Sequence, residues 1–152
     1  RATLFNISMV HTREHLMRAV YEGIGYNLRW ILENYSRDYG FSCDNFRIIG
    51  GGALDDTWMH IIADITGKCF SVVKDPRNAG AVGAAVVALI GLGELPGFSA
   101  AKDFVQVERC YAPDPKNRRV YDHLFENYKR VYNSLKDTYI KANGQRFKGE
   151  EE

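Results

Sequence analysis

No stretch of this chain reaches the roughly 18 continuous apolar residues that a membrane-spanning helix needs. The most apolar segment, Ala79–Leu92, is interrupted by glycine and alanine. No secretory signal is visible, and the cytoplasm is the expected compartment. Cysteine is scarce. Cys43, Cys69 and Cys110 are odd in number, far apart and without a CxxC pair, which excludes a zinc or redox motif and an even disulfide framework. They are expected to be buried or inert thiols. An excess of one charge is also missing: 20 Lys and Arg face 19 Asp and Glu, a net +1. That balance gives no electrostatic case for nucleic acid or an anionic membrane. Neither a Walker A sequence nor GxGxxG occurs, and no Ser/His/Asp arrangement is apparent. What remains is 152 residues of ordinary globular composition, 45% apolar and 26% charged, enough for one domain.

The pattern along the chain alternates. The chain opens on Arg1-Ala-Thr-Leu-Phe-Asn-Ile-Ser, a possible strand entered part-way, which suggests a piece of a longer protein. Thr12 is a helix cap, and Leu16, Val20, Ile24, Leu28, Ile31 and Tyr35 recur at helical spacing up to Gly40. Phe46–Ile49 reads as a strand running into three glycines. Asp55 or Asp56 then caps a helix with Trp58, Ile61, Ile62 and Ile65 on its apolar face, ended by Gly67. Cys69–Val73 is a second strand, and Asp75-Pro76 a turn. A third helix follows over 79–92, whose Gly80, Gly83, Ala84 and Ala85 would allow close approach to a neighbouring backbone. After a loop with one short strand at Phe104–Val107, Asp114-Pro115 opens a last amphipathic helix. Its stripe of Tyr121, Tyr128, Tyr132 and Tyr139 reads as core rather than as a stacking platform. Helices between strands imply a parallel sheet, and so few strands imply that others complete it. An isolated chain is therefore expected to cover its open strand edge with another copy or a further segment.

The stretch that carries chemistry is Ile48-Ile49-Gly50-Gly51-Gly52-Ala53-Leu54-Asp55-Asp56-Thr57-Trp58. Glycine lets backbone come close to a ligand, and a helix N-terminus offers N–H groups. A strand, three glycines and a capped helix can form a shelf for a nucleotide, or merely a tight turn. Two adjacent aspartates argue against triphosphate lying directly at the helix start. His11 and His15 are four residues apart and could share a metal, but no third ligand is near, and capping or surface roles are the simpler reading. His60 reads as a packed or partly exposed polar residue.

Three blocks together carry a resemblance. They are His11-Thr12-Arg13-Glu14-His15-Leu16 with Arg18–Ile24; Arg47–Ala53 with Trp58 and Ile62–Gly67; and Ala79–Ala85. In order and spacing the set resembles the C-terminal domain of the FGGY carbohydrate kinases, xylulokinase-like members best. The resemblance implies an α/β fold, here a partial C-terminal lobe of the actin/hexokinase-type (ribonuclease H-like) ATPase fold, helix-rich with a few parallel strands. It implies a nucleotide-binding lobe over 1–111, a C-terminal helix packed on it over 112–145, and a disordered tail at 146–152.

It also implies ATP with Mg²⁺ carried on the phosphates, and ATP or ADP and a sugar as partners. The sugar would be bound mainly by an N-terminal lobe, and self-association of the protein stays open. Gly50, Gly51, Gly52 and Ala53 would line the adenosine pocket. Asp56 falls where relatives place a polar side chain near adenine, although an ionised Asp accepts and does not donate. The family's catalytic aspartate and its phosphate loop match nothing in these 152 residues, so the chain alone is expected to be inactive. The competing reading is a non-catalytic actin-like nucleotide-binding or interaction module.

Overall fold

The structure, a computed structural model, describes residues 2–144. The tail expected at 146–152 lies outside the described residues. In order, the elements are α1 (Arg13–Tyr39), β1 (Asn45–Ile48), α2 (Asp56–Thr66), β2 (Cys69–Val73), α3 (Ala79–Gly91), β3 (Val107–Tyr111) and α4 (Arg118–Asn143). Short 3₁₀ turns cover Gly51–Leu54, Phe98–Asp103 and Pro115–Asn117. No regular element forms before α1, so the strand expected there is absent among the described residues. The chain divides into two compact units, one up to Arg118 and one from Arg119 onward.

In the first unit, the sheet order is β1-β2-β3. β1 and β2 run parallel, with Asn45 opposite Cys69 and Ile48 opposite Val72. β3 is antiparallel to β2, placing Phe70 opposite Tyr111 and Val72 opposite Arg109, with an irregularity at Val72/Val73. The sheet is therefore mixed rather than wholly parallel, and its third strand lies later than Phe104–Val107. The polar run Glu108-Arg109-Cys110 hid it, because an edge strand with one open side need not be apolar on both faces.

The second half of α2 is enclosed, and Ile61 through Thr66 are all buried. It packs against α1 and against β2 and β3. Ala53, Met59, Ile62, Ala63, Phe70, Val72 and Tyr111 form the core, with Leu28, Phe46, Ile48 and Trp58 leaning on it. The buried half is apolar apart from Asp64 and Thr66, whereas Asp56, Thr57 and His60 leave the first turns exposed on one side. α1 turns a different face inward from the one its spacing suggested. Gly25, Tyr26 and Arg29 are buried, whereas Val20, Ile24, Ile31 and Tyr35 are about half exposed. The close approach expected at α3 also differs. A Cβ built on Gly80 or Gly83 meets nothing within 4 Å, and Val86 is its buried residue among those described. Of the thiols, Cys43 and Cys69 are half-buried and Cys110 is exposed, all of them free.

Local chemistry sets the helix ends. Gly40 (φ 64°) and Gly67 (φ 67°) adopt the left-handed conformation just after α1 and α2, where glycine carries no Cβ penalty. The second unit is the body of one helix. It carries a Lys129–Glu126 ion pair at 2.7 Å and a Lys129 ammonium 4.6 Å from the centre of the Phe125 ring. No described helix is long and apolar enough to cross a membrane.

Candidate functional site

β1 ends at Ile48, and the chain turns at once through Gly50, whose φ of 98° suits glycine alone. The Gly50 N–H donates to the Pro76 carbonyl at 2.7 Å. The glycine turn is thereby tied to the Asp75-Pro76 turn that follows β2. Both lie at the carboxyl ends of the parallel strands, the place where open α/β sheets receive ligands. The Ala53 N–H then donates to Gly50 O and the Asp55 N–H to Gly52 O, each at 3.2 Å, closing the 3₁₀ turn. A Cβ on Gly50 or Gly51 would meet nothing within 4 Å, while one on Gly52 would touch the Trp58 indole at 3.4 Å. Gly50–Gly52 thus present bare backbone to open space beside an aromatic edge. Ala53 does not share this role: it is buried in the core, so only its backbone faces the turn.

The two aspartates have separate duties. Asp55 is the N-cap of α2, its carboxylate accepting the Trp58 N–H at 3.0 Å and the Tyr21 hydroxyl at 3.1 Å. Tyr21 also packs its ring on Trp58, centroids 5.1 Å apart. Asp56 reaches the other way, to β3. Its Oδ1 accepts from Arg109 Nη1 at 2.6 Å and from the Tyr111 hydroxyl. Arg109 Nη2 meets the Ala53 carbonyl at 3.5 Å. Sequence reasoning missed Arg109 and Tyr111, since nothing in local spacing links them to residues more than fifty positions earlier.

Tyr111 donating to Asp56, and then the nearby Arg109 charge, hold the Asp56 carboxyl below the usual carboxylate range. Burial, and then the bond to Asp56, push the Tyr111 phenol up. A lowered carboxyl stabilises the fold above its ordinary value and loses that contribution on acidification. A raised phenol contributes fully below its ordinary value and loses that contribution as pH climbs. The link should therefore stay whole from about pH 4 to about pH 10. NMR titration of the folded chain should find Asp56 below and Tyr111 above their ordinary values; ordinary titration of both would refute it.

The histidine pair is not a metal site in this arrangement. His11 Nδ1 accepts the Ser8 N–H at 2.9 Å, and His15 Nδ1 accepts the Thr12 N–H at 3.1 Å. A neutral ring accepting at Nδ1 carries its proton on Nε2, which leaves that nitrogen no lone pair for a metal. His15 acts as the second half of a capping box at the start of α1. His60 is exposed, its ring edge-on to Tyr111 at 5.1 Å. Among the described residues no group of three His, Cys, Asp or Glu could hold a metal ion.

The family profile "FGGY family of carbohydrate kinases, C-terminal domain" matches residues 1–92, a span that contains the glycine turn and α2. The chain belongs to this family. The xylulose kinase of Bacillus subtilis (strain 168) is 34% identical over 139 residues, covering 90% of this chain and 27% of that protein. The L-xylulose/3-keto-L-gulonate kinase of Escherichia coli (strain K12) is 30% identical over 132 residues, or 86% of this chain and 26% of its own length. Among solved structures, xylulose kinase from Rhodospirillum rubrum superposes with a TM-score of 0.76 at 31% identity, covering 90% of this chain and 28% of that one. Gluconate kinase from Lactobacillus acidophilus gives 0.78 at 26% identity, over 91% and 28%. This FGGY domain therefore has the actin/hexokinase-like fold of those enzymes, and it spans about a quarter of the length of the curated relatives it matches.

Proposed function

We propose that this domain is the adenosine-binding, C-terminal part of an ATP-dependent carbohydrate kinase, which moves the γ-phosphoryl group of ATP to a hydroxyl of a xylulose-like pentose or related polyol. The observation that carries the reading is the open-sided Gly50–Gly52 turn at the carboxyl ends of β1 and β2, in a chain of the FGGY family. The relatives named xylulose, gluconate and L-xylulose/3-keto-L-gulonate kinases support the substrate class.

The residues present suit a purine. Bare backbone at Gly50 and Gly51 leaves room for a flat ring, and the Trp58 indole edge, its Nε1 nearest, lies beside Gly52. Phosphoryl transfer rests on positioning and charge stabilisation. Mg²⁺ would ride on the ATP phosphates, and other parts of the kinase would supply the general base and most of the sugar contacts. This domain would supply the seat for adenosine.

Gly51→Val tests the seat. The added side chain projects into open space, so stability should change by less than about 0.5 kcal/mol. ADP affinity should nonetheless fall by about tenfold or more, because the methyl groups stand where the ring would lie. A thermal melt and an ADP titration of both proteins give the answer. Equal ADP affinity in wild type and variant would remove the turn from the nucleotide site.

A further inference from the structure

Three carboxylates gather at the turn. Asp55 and Asp56 open α2, and Glu108 lies next to Arg109 on β3, its Oε2 4.0 Å from Arg109 Nε. Asp55 is engaged by neutral donors, the Trp58 N–H and the Tyr21 hydroxyl. Asp56 is engaged by the neutral Tyr111 hydroxyl and by one cation, Arg109, at 2.6 Å. His60 also lies near Asp56 and favours its charged form. Arg109 is two-thirds buried, and its second amino group points to the Ala53 carbonyl. It therefore touches the last glycine-turn residue and the first residue of α2 at once. Arg109 lies outside residues 1–92, the span that the family profile matches.

A nucleotide seated on Gly50–Gly52 brings a polyanion into the neighbourhood of these carboxylates. We propose that Arg109 is a positioning residue for the nucleotide: it cancels the charge of Asp56 beside the glycine turn, so that the diphosphate is tolerated there, and it pins the turn to β3. This rests on the nucleotide reading above and adds the group that makes an acidic helix start compatible with it. Tyr111 shares the hold on Asp56 but brings no charge, so the electrostatic part of that hold falls to Arg109.

The charge argument separates Arg109 from an ordinary strut. The experiment is calorimetric titration of ADP and, separately, adenosine into the whole kinase that carries this domain, as wild type, Arg109→Gln and Arg109→Gln/Asp56→Asn. Arg109→Gln should weaken ADP by about tenfold, the effect of one newly exposed charge facing an anion in partly aqueous surroundings. The loss should shrink as salt is raised. Adenosine, which has no phosphate, should lose much less. Adding Asp56→Asn should return most of the ADP affinity, because the uncancelled charge is gone.

Unchanged ADP binding by Arg109→Gln overturns the proposal. So does an equal loss for adenosine and ADP that Asp56→Asn fails to repair, because that marks a merely structural arginine. Both of those results leave the nucleotide reading standing. Failure of the wild-type kinase to bind ADP overturns the nucleotide reading, and this proposal with it.

Discussion

Replacing Asp64 with alanine should cost the domain about 2 kcal/mol, the range for part-buried hydrogen bonds that lose a charged acceptor. Asp64 sits in the last turns of α2 with about 9% of its surface exposed. One carboxylate oxygen accepts the Asp114 N–H at 2.7 Å and the other accepts Asn117 Nδ2 at 2.7 Å. The first bond spans fifty positions of sequence, so this one side chain fixes where the chain returns after β3. Asp114 in turn accepts the Lys116 N–H at 2.9 Å and opens the 3₁₀ turn Pro115–Asn117.

Just beyond, the Arg118 guanidinium covers the space that a Cβ on Gly67 would need, so Arg118 is closely fitted to the end of α2. Alanine at 64 takes the acceptor away from both donors, which sit on exposed residues and can turn to water only by letting the segment leave α2. Asparagine should cost less, about 1 kcal/mol, because it keeps an acceptor and the Asn117 amide can flip to match it. Urea unfolding of the three proteins, with amide exchange at Asp114, measures both effects. Alanine within about 0.5 kcal/mol of wild type would mean that the anchor is not needed.

Asp64 also marks where sequence reasoning stops. The helix ends were legible, because Thr12, Asp55, Gly40 and Gly67 act through local chemistry that spacing reveals. The glycine turn was legible for the same reason, as was the parallel pairing of β1 with β2 from the helix between them. The Asp64 anchor and the Asp56–Arg109–Tyr111 link were not. Their partners lie fifty or more positions away, and no local pattern encodes a pairing at that range. β3 was misplaced because a short, polar edge strand gives little period-two signal. Ala53 shows a subtler limit. Its neighbourhood was identified from the sequence, but the motif says nothing about which way its side chain turns, and it turns into the core.

The inward face of α1 was also misjudged, and the reason is a glycine. Periodicity shows which positions are apolar, and α1 has apolar residues on more than one face. What selects the packed face is shape. At Gly25 α1 approaches α2 so closely that a built Cβ would lie 2.8 Å from Ile65 Cδ1, and Ile65 has no exposed surface into which to withdraw. One turn on, Arg29 Nη1 donates to the Ile65 carbonyl at 3.2 Å, and Arg29 Nε pairs with Glu33 at 2.9 Å. A glycine in a helix interior costs about 1 kcal/mol relative to alanine, and here the close contact it permits offsets that cost.

Gly25→Val should therefore destabilise the domain by about 3 kcal/mol, the upper part of the range for an overpacked core, since its methyl groups meet a wall that cannot recede. Gly25→Ala should come out near neutral, because its gain in helix propensity of about 1 kcal/mol is spent on displacing one methyl group. The decisive comparison is with Ile65→Val, which removes the Cδ1 atom itself. In that background Gly25→Ala should become stabilising, and a double-mutant cycle from urea unfolding should show a coupling of about 1 kcal/mol between positions 25 and 65. Strict additivity of the two substitutions would show that the helices do not meet at this point and that another contact selects the inward face of α1.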